Sequence, residues 1–286
     1  MRVKRAEKYG FCSGVRIADM KVKRFARKGG TGSILGQVVH NERVVREMED
    51  LGVSTVDSIE QTAGPTIVFS AHGVPPSFHD RAKNNGLEVL DTTCKFVYDI
   101  HRESDAARDE GWHLVFIGDP NHREVIGYTN DLDVSRYHIL STVEQAEAID
   151  WTVYPRIKVF YQTTLNAEEF EPVVRAIEAQ GSETARADTI CYATKENQEA
   201  AKALAHDPEV DVIVVVGGRK SANTRHLWEI CREIKPSYLV HEVDEIRQEW
   251  FAGAGVVGLT AGSSTPDTMI DEVEACIMGV REEVRA

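Results

Sequence analysis

Leu87-Glu88-Val89-Leu90-Asp91-Thr92-Thr93-Cys94-Lys95-Phe96 reads as a short strand that turns, within a few residues, into a helix running from about Val97 to Glu110. The apolar-rich strand and the 3.6-residue periodicity beyond it meet at one cysteine. Two other cysteines stand at the same kind of junction. Cys12 lies in Gly10-Phe11-Cys12-Ser13-Gly14, ahead of an amphipathic stretch from Val15 to Ala26 that stops at Gly29-Gly30. Cys191 lies in Asp188-Thr189-Ile190-Cys191-Tyr192-Ala193, ahead of a helical stretch from Glu196 to Ala205. These cysteines are far too distant in the chain for a zinc finger or a Cys-x-x-Cys redox pair.

The repetition extends beyond the cysteines. Each is followed, after its helix, by an apolar strand ending in a polar loop that holds His40, His122 or Asn223. A second such strand then ends at His72, Thr163 or Ser264. Thr66-Ile67-Val68-Phe69, His113-Leu114-Val115-Phe116-Ile117 and Val212-Ile213-Val214-Val215-Val216 are among these strands. Strand alternating with helix at this length predicts an α/β fold with mostly parallel sheets. The repeat predicts three small α/β domains, residues 1–92, 93–189 and 190–286, in pseudo-threefold arrangement around a central site. Ligands of such sheets bind beyond the carboxyl ends of the strands, where all nine polar loops would lie.

Bulk properties narrow the class. A chain of 286 residues with 42% hydrophobic and 28% charged residues can bury a large core. Its longest apolar run, Val212–Val216, is much too short to span a bilayer, and no apolar signal core follows the basic N-terminus. A formal net charge of −13 argues against nucleic acid as a partner. Five cysteines, an odd number, argue for a reducing cytoplasmic setting rather than a disulfide scaffold. A monomer is the default expectation.

An isolated cysteine is more often a small buried hydrophobe than a ligand. Cys231, amid Leu227-Trp228-Glu229-Ile230, and Cys276, near Val273 and Ile277, keep that reading. Cys12, Cys94 and Cys191 differ because they recur at one position, where a helix N-terminus favours thiolate. Three converging soft thiolates suit zinc or an iron–sulfur cluster. The residues alone stop there, at a three-cysteine metal site in polar surroundings.

A resemblance goes further. Gly10-Phe11-Cys12-Ser13-Gly14-Val15, Val39-His40-Asn41, Phe69-Ser70-Ala71-His72-Gly73-Val74, Thr93-Cys94, Gln162-Thr163-Thr164-Leu165, Ile190-Cys191-Tyr192-Ala193-Thr194 with Asn197-Gln198, and Thr260-Ala261-Gly262-Ser263-Ser264-Thr265-Pro266-Asp267 together resemble the LytB/IspH family of 4-hydroxy-3-methylbut-2-enyl diphosphate reductases. Each motif is weak, but their joint order along the whole chain is specific. The resemblance implies that Cys12, Cys94 and Cys191 hold a [4Fe-4S] cluster with one open iron site. It implies reductive removal of an allylic hydroxyl with two electrons and two protons, giving isopentenyl and dimethylallyl diphosphates. Electrons would come from a ferredoxin or flavodoxin-like donor, in keeping with Gly217-Gly218 lacking a dinucleotide fingerprint.

The same resemblance implies diphosphate binding by His40 and His72, and a substrate-pocket role for His122. Glu124 would carry or relay the proton that turns the leaving hydroxyl into water, with Thr163 beside it. Ser221, Asn223 and Ser264 would ring the diphosphate. His79, His101, His113 and His138 have no such claim, and Thr164 and Ser263 read as loop and cap residues. The chain departs from the family pattern at Lys95, where proline is usual after the second cysteine. It departs again in Asn121-His122-Arg123-Glu124, at Thr129-Asn130, and at Ala222, which removes one hydroxyl. Those changes leave three rivals: the same cluster acting on another substrate, a non-redox iron–sulfur hydro-lyase, and a non-catalytic metal-binding protein.

Overall fold

The computed structural model describes residues 1–283. In chain order its elements are β1 (Arg2–Arg5), α1 (Ser13–Arg27), β2 (Gly32–Leu35), α2 (Glu42–Asp50), β3 (Val53–Val56), β4 (Thr66–Phe69), α3 (Ser77–Asn84) and β5 (Glu88–Asp91). Next come α4 (Lys95–Asp109), β6 (His113–Ile117), α5 (Arg123–Thr129), β7 (Tyr137–Leu140), α6 (Val143–Glu147), β8 (Arg156–Tyr161), α7 (Ala167–Glu178) and β9 (Glu183–Arg186). The last are α8 (Tyr192–His206), β10 (Val212–Val216), α9 (Ala222–Arg232), β11 (Ser237–Val240), β12 (Val256–Ala261) and α10 (Asp267–Glu283).

The strands make three four-stranded sheets, ordered β3-β2-β4-β5, β7-β6-β8-β9 and β11-β10-β12-β1. Every pairing is parallel. The order is the same in each sheet, so the α/β repeat expected from the cysteine junctions is present. The third sheet is closed by the N-terminus: β1 pairs with β12, Arg2 opposite Val256 and Arg5 opposite Leu259. Residues 2–5 therefore belong to the sheet of residues 190–286 and not to that of their own first segment.

By compactness the chain forms two units. One comprises Met1–Arg16, Val39–Glu47 and Tyr192–Ala286, and the other Ile17–Val38 and Met48–Cys191. The first unit holds the β11-β10-β12-β1 sheet. Val212, Val214, Val216, Val257, Leu259 and Ile270 pack on one face, and Ala201, Leu204, Ile213, Val215 and Leu227 on the other. Successive residues of a strand point to opposite faces, so the wholly β-branched β10 is buried on both. The second unit contains the other two sheets. In one, Val115, Ile117, Val159 and Ile177 form one layer, while Leu114, Phe116, Phe160, Val97 and Ile100 form the layer behind.

Central strands are mostly apolar and mostly buried. The outer strands β1, β5 and β9 are short and carry charges, a pattern that blunts edge pairing. At Gly32 in β2, a Cβ would sit 2.1 Å from the Thr66 carbonyl oxygen of β4. That oxygen belongs to backbone locked in the sheet and cannot withdraw. Gly32→Val should therefore lower stability by about 2–3 kcal/mol, read as a drop in the urea midpoint with little change in slope.

Candidate functional site

Each cysteine immediately precedes a helix, α1, α4 or α8, and follows the outer strand of a sheet. One backbone bond fixes each. Cys94 N–H donates to Ala71 O at 3.0 Å, Cys191 N–H to Thr163 O at 3.0 Å, and Cys12 N–H to Ser263 O at 3.2 Å. The acceptors lie two residues past the ends of β4, β8 and β12. Two residues before each cysteine the chain is tied to the last residue of the same strand. Thr92 and Thr189 give their hydroxyls to Phe69 O and Tyr161 O, and Gly10 gives its amide to Ala261 O. The three thiols are equivalent in local fold, although little sequence around them is shared.

In the second unit, β6 ends at Ile117 and α5 opens with Arg123. Glu124, the residue expected to carry the proton, stands in the first turn of α5 and is 2% exposed. Its carboxylate accepts from the Thr163 amide at 2.6 Å, from Thr163 Oγ1 at 2.8 Å and from the Tyr128 hydroxyl. Burial pushes the Glu124 carboxyl above its usual range, and those three donors only partly oppose the rise. Tyr128 went unnoticed in the sequence. Its position four residues after Glu124 on one helix is the signal that could have found it.

His122 caps α5, its Nδ1 accepting from the Glu124 amide at 3.3 Å. An accepting Nδ1 places the ring proton on Nε2. Burial lowers this imidazole to about 4, so His122 is neutral near pH 7 and acts as a hydrogen-bonding group without charge. His72 stands edge-to-face against it with ring centroids 5.8 Å apart, and Ser70 Oγ lies 3.4 Å from His72 Nδ1. Thus Glu124, Thr163, His122 and His72 form one group with Tyr128.

The first unit gathers His40, Ser221, Asn223 and Ser264. Ser264 Oγ lies 3.1 Å from the His40 carbonyl and 3.3 Å from Ser221 Oγ, and Ser221 Oγ caps α9 by accepting from the Thr224 amide. Gly218 makes this closeness possible, since a Cβ there would stand 2.3 Å from His40 O. Gly217 and Gly262 flank Thr224, where added Cβ atoms would fall 2.3 and 2.0 Å from its hydroxyl. Asn223 is buried, and neither its amide nitrogen nor its oxygen has a partner. A buried amide left so is costly in an empty fold and suits a polar ligand.

The basic side chains at or near the altered positions have different surroundings. Lys95 extends into solvent and pairs with Asp99 at 2.6 Å. Arg219 is paired with Glu245. Arg123 lays its guanidinium over Gly36, where a Cβ would fall 2.8 Å from it. Cys231 lies in the core, as expected of a structural cysteine. His113 is buried too, bonded to His138 at 2.7 Å.

The donor set fits a thiophilic metal group. Three thiols recur at one structural position, each at the positive end of a helix of 15 residues. Burial raises the Cys12 thiol above its ordinary value, so a bound cationic centre is what would hold it as thiolate.

These features define an α/β protein with its candidate site residues at the carboxyl ends of parallel strands. The LytB protein family model matches residues 3–278. A 4-hydroxy-3-methylbut-2-enyl diphosphate reductase from Anaeromyxobacter sp. (strain Fw109-5) is 40% identical over 283 residues, covering 98% of both chains. The reductase of that name from Aquifex aeolicus (strain VF5) is 36% identical, covering 97% of this chain and 96% of its own. A solved (E)-4-hydroxy-3-methyl-but-2-enyl diphosphate reductase matches with TM-score 0.72 and 35% identity, over 97% of this chain and 99% of the other. The Plasmodium falciparum E-1-hydroxy-2-methyl-but-2-enyl-4-diphosphate reductase matches with TM-score 0.88 and 25% identity, over 96% and 87%. The chain belongs to the LytB family, and it is an oxidoreductase.

Two stability measurements follow from the polar groups. Asn223→Leu should leave the melting temperature unchanged or raised, because it removes an unpartnered amide; Glu124→Leu strands three buried donors and should cost about 2 kcal/mol. His122 has a folded value below its unfolded one. Its contribution is complete above about 6.5 and is lost as pH falls through about 4. Stability measured across that window should decline with acid, and less so in His122→Gln.

Proposed function

We propose that the protein reductively removes the hydroxyl of 4-hydroxy-3-methylbut-2-enyl diphosphate, giving isopentenyl and dimethylallyl diphosphates. Cys12, Cys94 and Cys191 would hold a [4Fe-4S] cluster with one open iron site. When bound, such a group supplies electrons one at a time and a Lewis-acidic iron. The observation that carries the reading is the buried Glu124–Thr163 pair beside the loop that fixes Cys191.

Hydroxide is a poor leaving group, so C–O cleavage needs a proton delivered on the spot. Glu124 holds one more readily than an exposed glutamate because burial raises its carboxyl. In its protonated form Oε2–H donates to Thr163 Oγ1, reversing the bond that the carboxylate accepts. Thr163 then turns its own O–H outward and passes a proton to the leaving oxygen. Tyr128 and the Thr163 amide hold the carboxyl in place during this exchange. The neutral His122 offers Nε2–H as an uncharged donor to the substrate.

His40, His72, Ser221, Asn223 and Ser264 take the diphosphate. The buried amide of Asn223 gains the partners it lacks when phosphate oxygens arrive. Ser221 adds a hydroxyl at the N-terminus of α9, an 11-residue helix whose dipole favours anions. Retention of the family substrate is supported by where the departures point. Lys95 faces solvent, Arg123 is laid over Gly36, and Ala222 opens α9 one residue after the capping Ser221. A cytoplasmic setting suits three thiols that must stay reduced, and a separate ferredoxin or flavodoxin-like carrier would supply the electrons. No helix among the described residues is long and apolar enough to cross a membrane.

Anaerobic purification with iron, sulfide and visible-absorption measurements, followed by turnover of the hydroxylated allylic diphosphate under a strong reductant, tests this. Each single Cys→Ser change at 12, 94 or 191 should lose the cluster absorption. Glu124→Gln should keep the cluster and lose turnover by about 10²–10⁴-fold. Wild-type turnover should fall as pH rises through the raised Glu124 value, and the residual activity of Glu124→Gln should lack that limb. Full activity in Glu124→Gln would sink the proton role.

A further inference from the structure

The chain has a formal net charge of −13, yet one of its helices presents a cationic face. In α1, Ile17, Met20, Lys21, Arg24 and Arg27, with Lys28 just beyond, recur every three or four residues and so share one side. All six are exposed, while Ala18 and Val22 on the opposite side are fully buried. Asp19, the acid of this stretch, is already paired with Lys23 at 2.9 Å. Arg24, Arg27 and Lys28 have no ion pair among the described residues. Four uncompensated or solvent-facing cations on one helix side are a concentrated field in an acidic protein.

The same face carries two large apolar side chains in water, Ile17 at 47% exposure and Met20 at 58%. They occupy the end of α1 nearer to Cys12, the residue immediately before the helix. Met20, Lys23, Arg24, Arg27 and Lys28, with Asp19, line a groove of about 320 Å³. The helix is also tied to a second cysteine loop: Lys21 Nζ donates to Asp91 O at 3.0 Å, and Asp91 Oδ1 accepts from the Thr93 amide next to Cys94. A small apolar end continued by a run of cations, joined to the Cys94 segment, has the make-up of a transient protein interface.

We propose that this face of α1 is the docking surface for an acidic, one-electron carrier protein that feeds the cysteine site, an inference that rests on the reductase function above. The reaction sets the need. Breaking the allylic C–O bond and forming C–H consumes two electrons and two protons, one proton leaving with the oxygen as water and one ending on carbon. Two reduced carriers each surrender one electron and depart oxidised, so the partner must bind and leave twice per turnover. Rapid exchange calls for a small interface steered by charge rather than a large apolar one. The carrier's acidic groups meet Arg24, Arg27 and Lys28, and Ile17 and Met20 exclude water at the end nearer to Cys12.

The experiment compares two reductants in steady-state turnover of the hydroxylated allylic diphosphate by cluster-loaded protein. One is a reduced, acidic plant-type [2Fe–2S] ferredoxin; the other is dithionite with methyl viologen. Arg24→Glu/Arg27→Glu/Lys28→Glu should raise the KM for ferredoxin by about tenfold or more at low salt and flatten its salt dependence. With dithionite and viologen the variant should stay within about twofold of wild type. Arg24→Gln/Lys28→Gln, which removes charge without reversing it, should show the same split to a lesser degree and serves if the reversal impairs folding. An unchanged ferredoxin KM in a variant active with viologen overturns the docking surface alone. So does an equal loss with both reductants, which would mark these residues as structural. So does a wild type held through these residues on anionic lipid vesicles while its ferredoxin KM ignores them. A wild type inactive with both reductants overturns the reductase function and this surface with it.

Discussion

One backbone hydrogen bond, made three times, governs where the three cysteines stand. The amide of each cysteine reaches the carbonyl two residues past the end of the neighbouring strand: Cys12 to Ser263, Cys94 to Ala71, Cys191 to Thr163. A parallel sheet delivers all its strand ends to one edge, and this bond carries the edge one step further, onto the first residue before a helix. Gly36, Gly118 and Gly217 close the other side of each sheet in the same manner, donating to Val56 O, Leu140 O and Val240 O. Main-chain geometry therefore repeats while side chains are left to differ. Three cysteines can keep one role as His, Thr, Ser and Asn vary around them.

That freedom allows the two units to carry opposite kinds of polar group. Glu124 has three donors directed at a single buried carboxyl, whereas Asn223 has none for either of its polar atoms. A carboxyl so well supplied would titrate low in water. Here removal from solvent outweighs all three donors and the value rises. The balance suits Glu124 to the proton role proposed for it, and the unpartnered amide suits Asn223 to the ligand contact proposed there. Catalytic and binding sites share this economy: one part is satisfied from within, the other is left to the ligand.

The alternation of strand and helix was legible because central strands such as Val212–Val216 and Thr66–Phe69 are largely apolar. The outer strands β3, β7, β9 and β11 were not. Val53-Ser54-Thr55-Val56 and Glu183-Thr184-Ala185-Arg186 are four residues long and at least half polar, and only pairing with a buried neighbour makes them strands. Nor could a linear reading show β1 joining β12, a pairing between the two ends of the chain. The cysteines were visible through their repeated junction. The burial of Glu124 was not, since nothing in Asn121-His122-Arg123-Glu124 tells a solvated loop from the capped first turn of a helix covered by Tyr128 and Thr163.

The departures from the family pattern matter less than their charges suggest, because charge acts through position. A lysine after the second cysteine sounds like a new cation at the site, but a residue at the first position of a helix can direct its side chain outward, and Lys95 does so, 81% exposed and paired one turn on with Asp99. Arg123 stacks on a glycine that leaves it room. The opposite holds for residues that carry no charge. Gly218 lets the His40 carbonyl approach within the reach of Ser264, and a single methyl there would collide with it. A cluster of phosphate donors assembled by close backbone approach is therefore more sensitive to a glycine than to a surface lysine. By that criterion the groups around His40, Ser221, Asn223 and Ser264 keep the close backbone approach that the proposed anion binding would need.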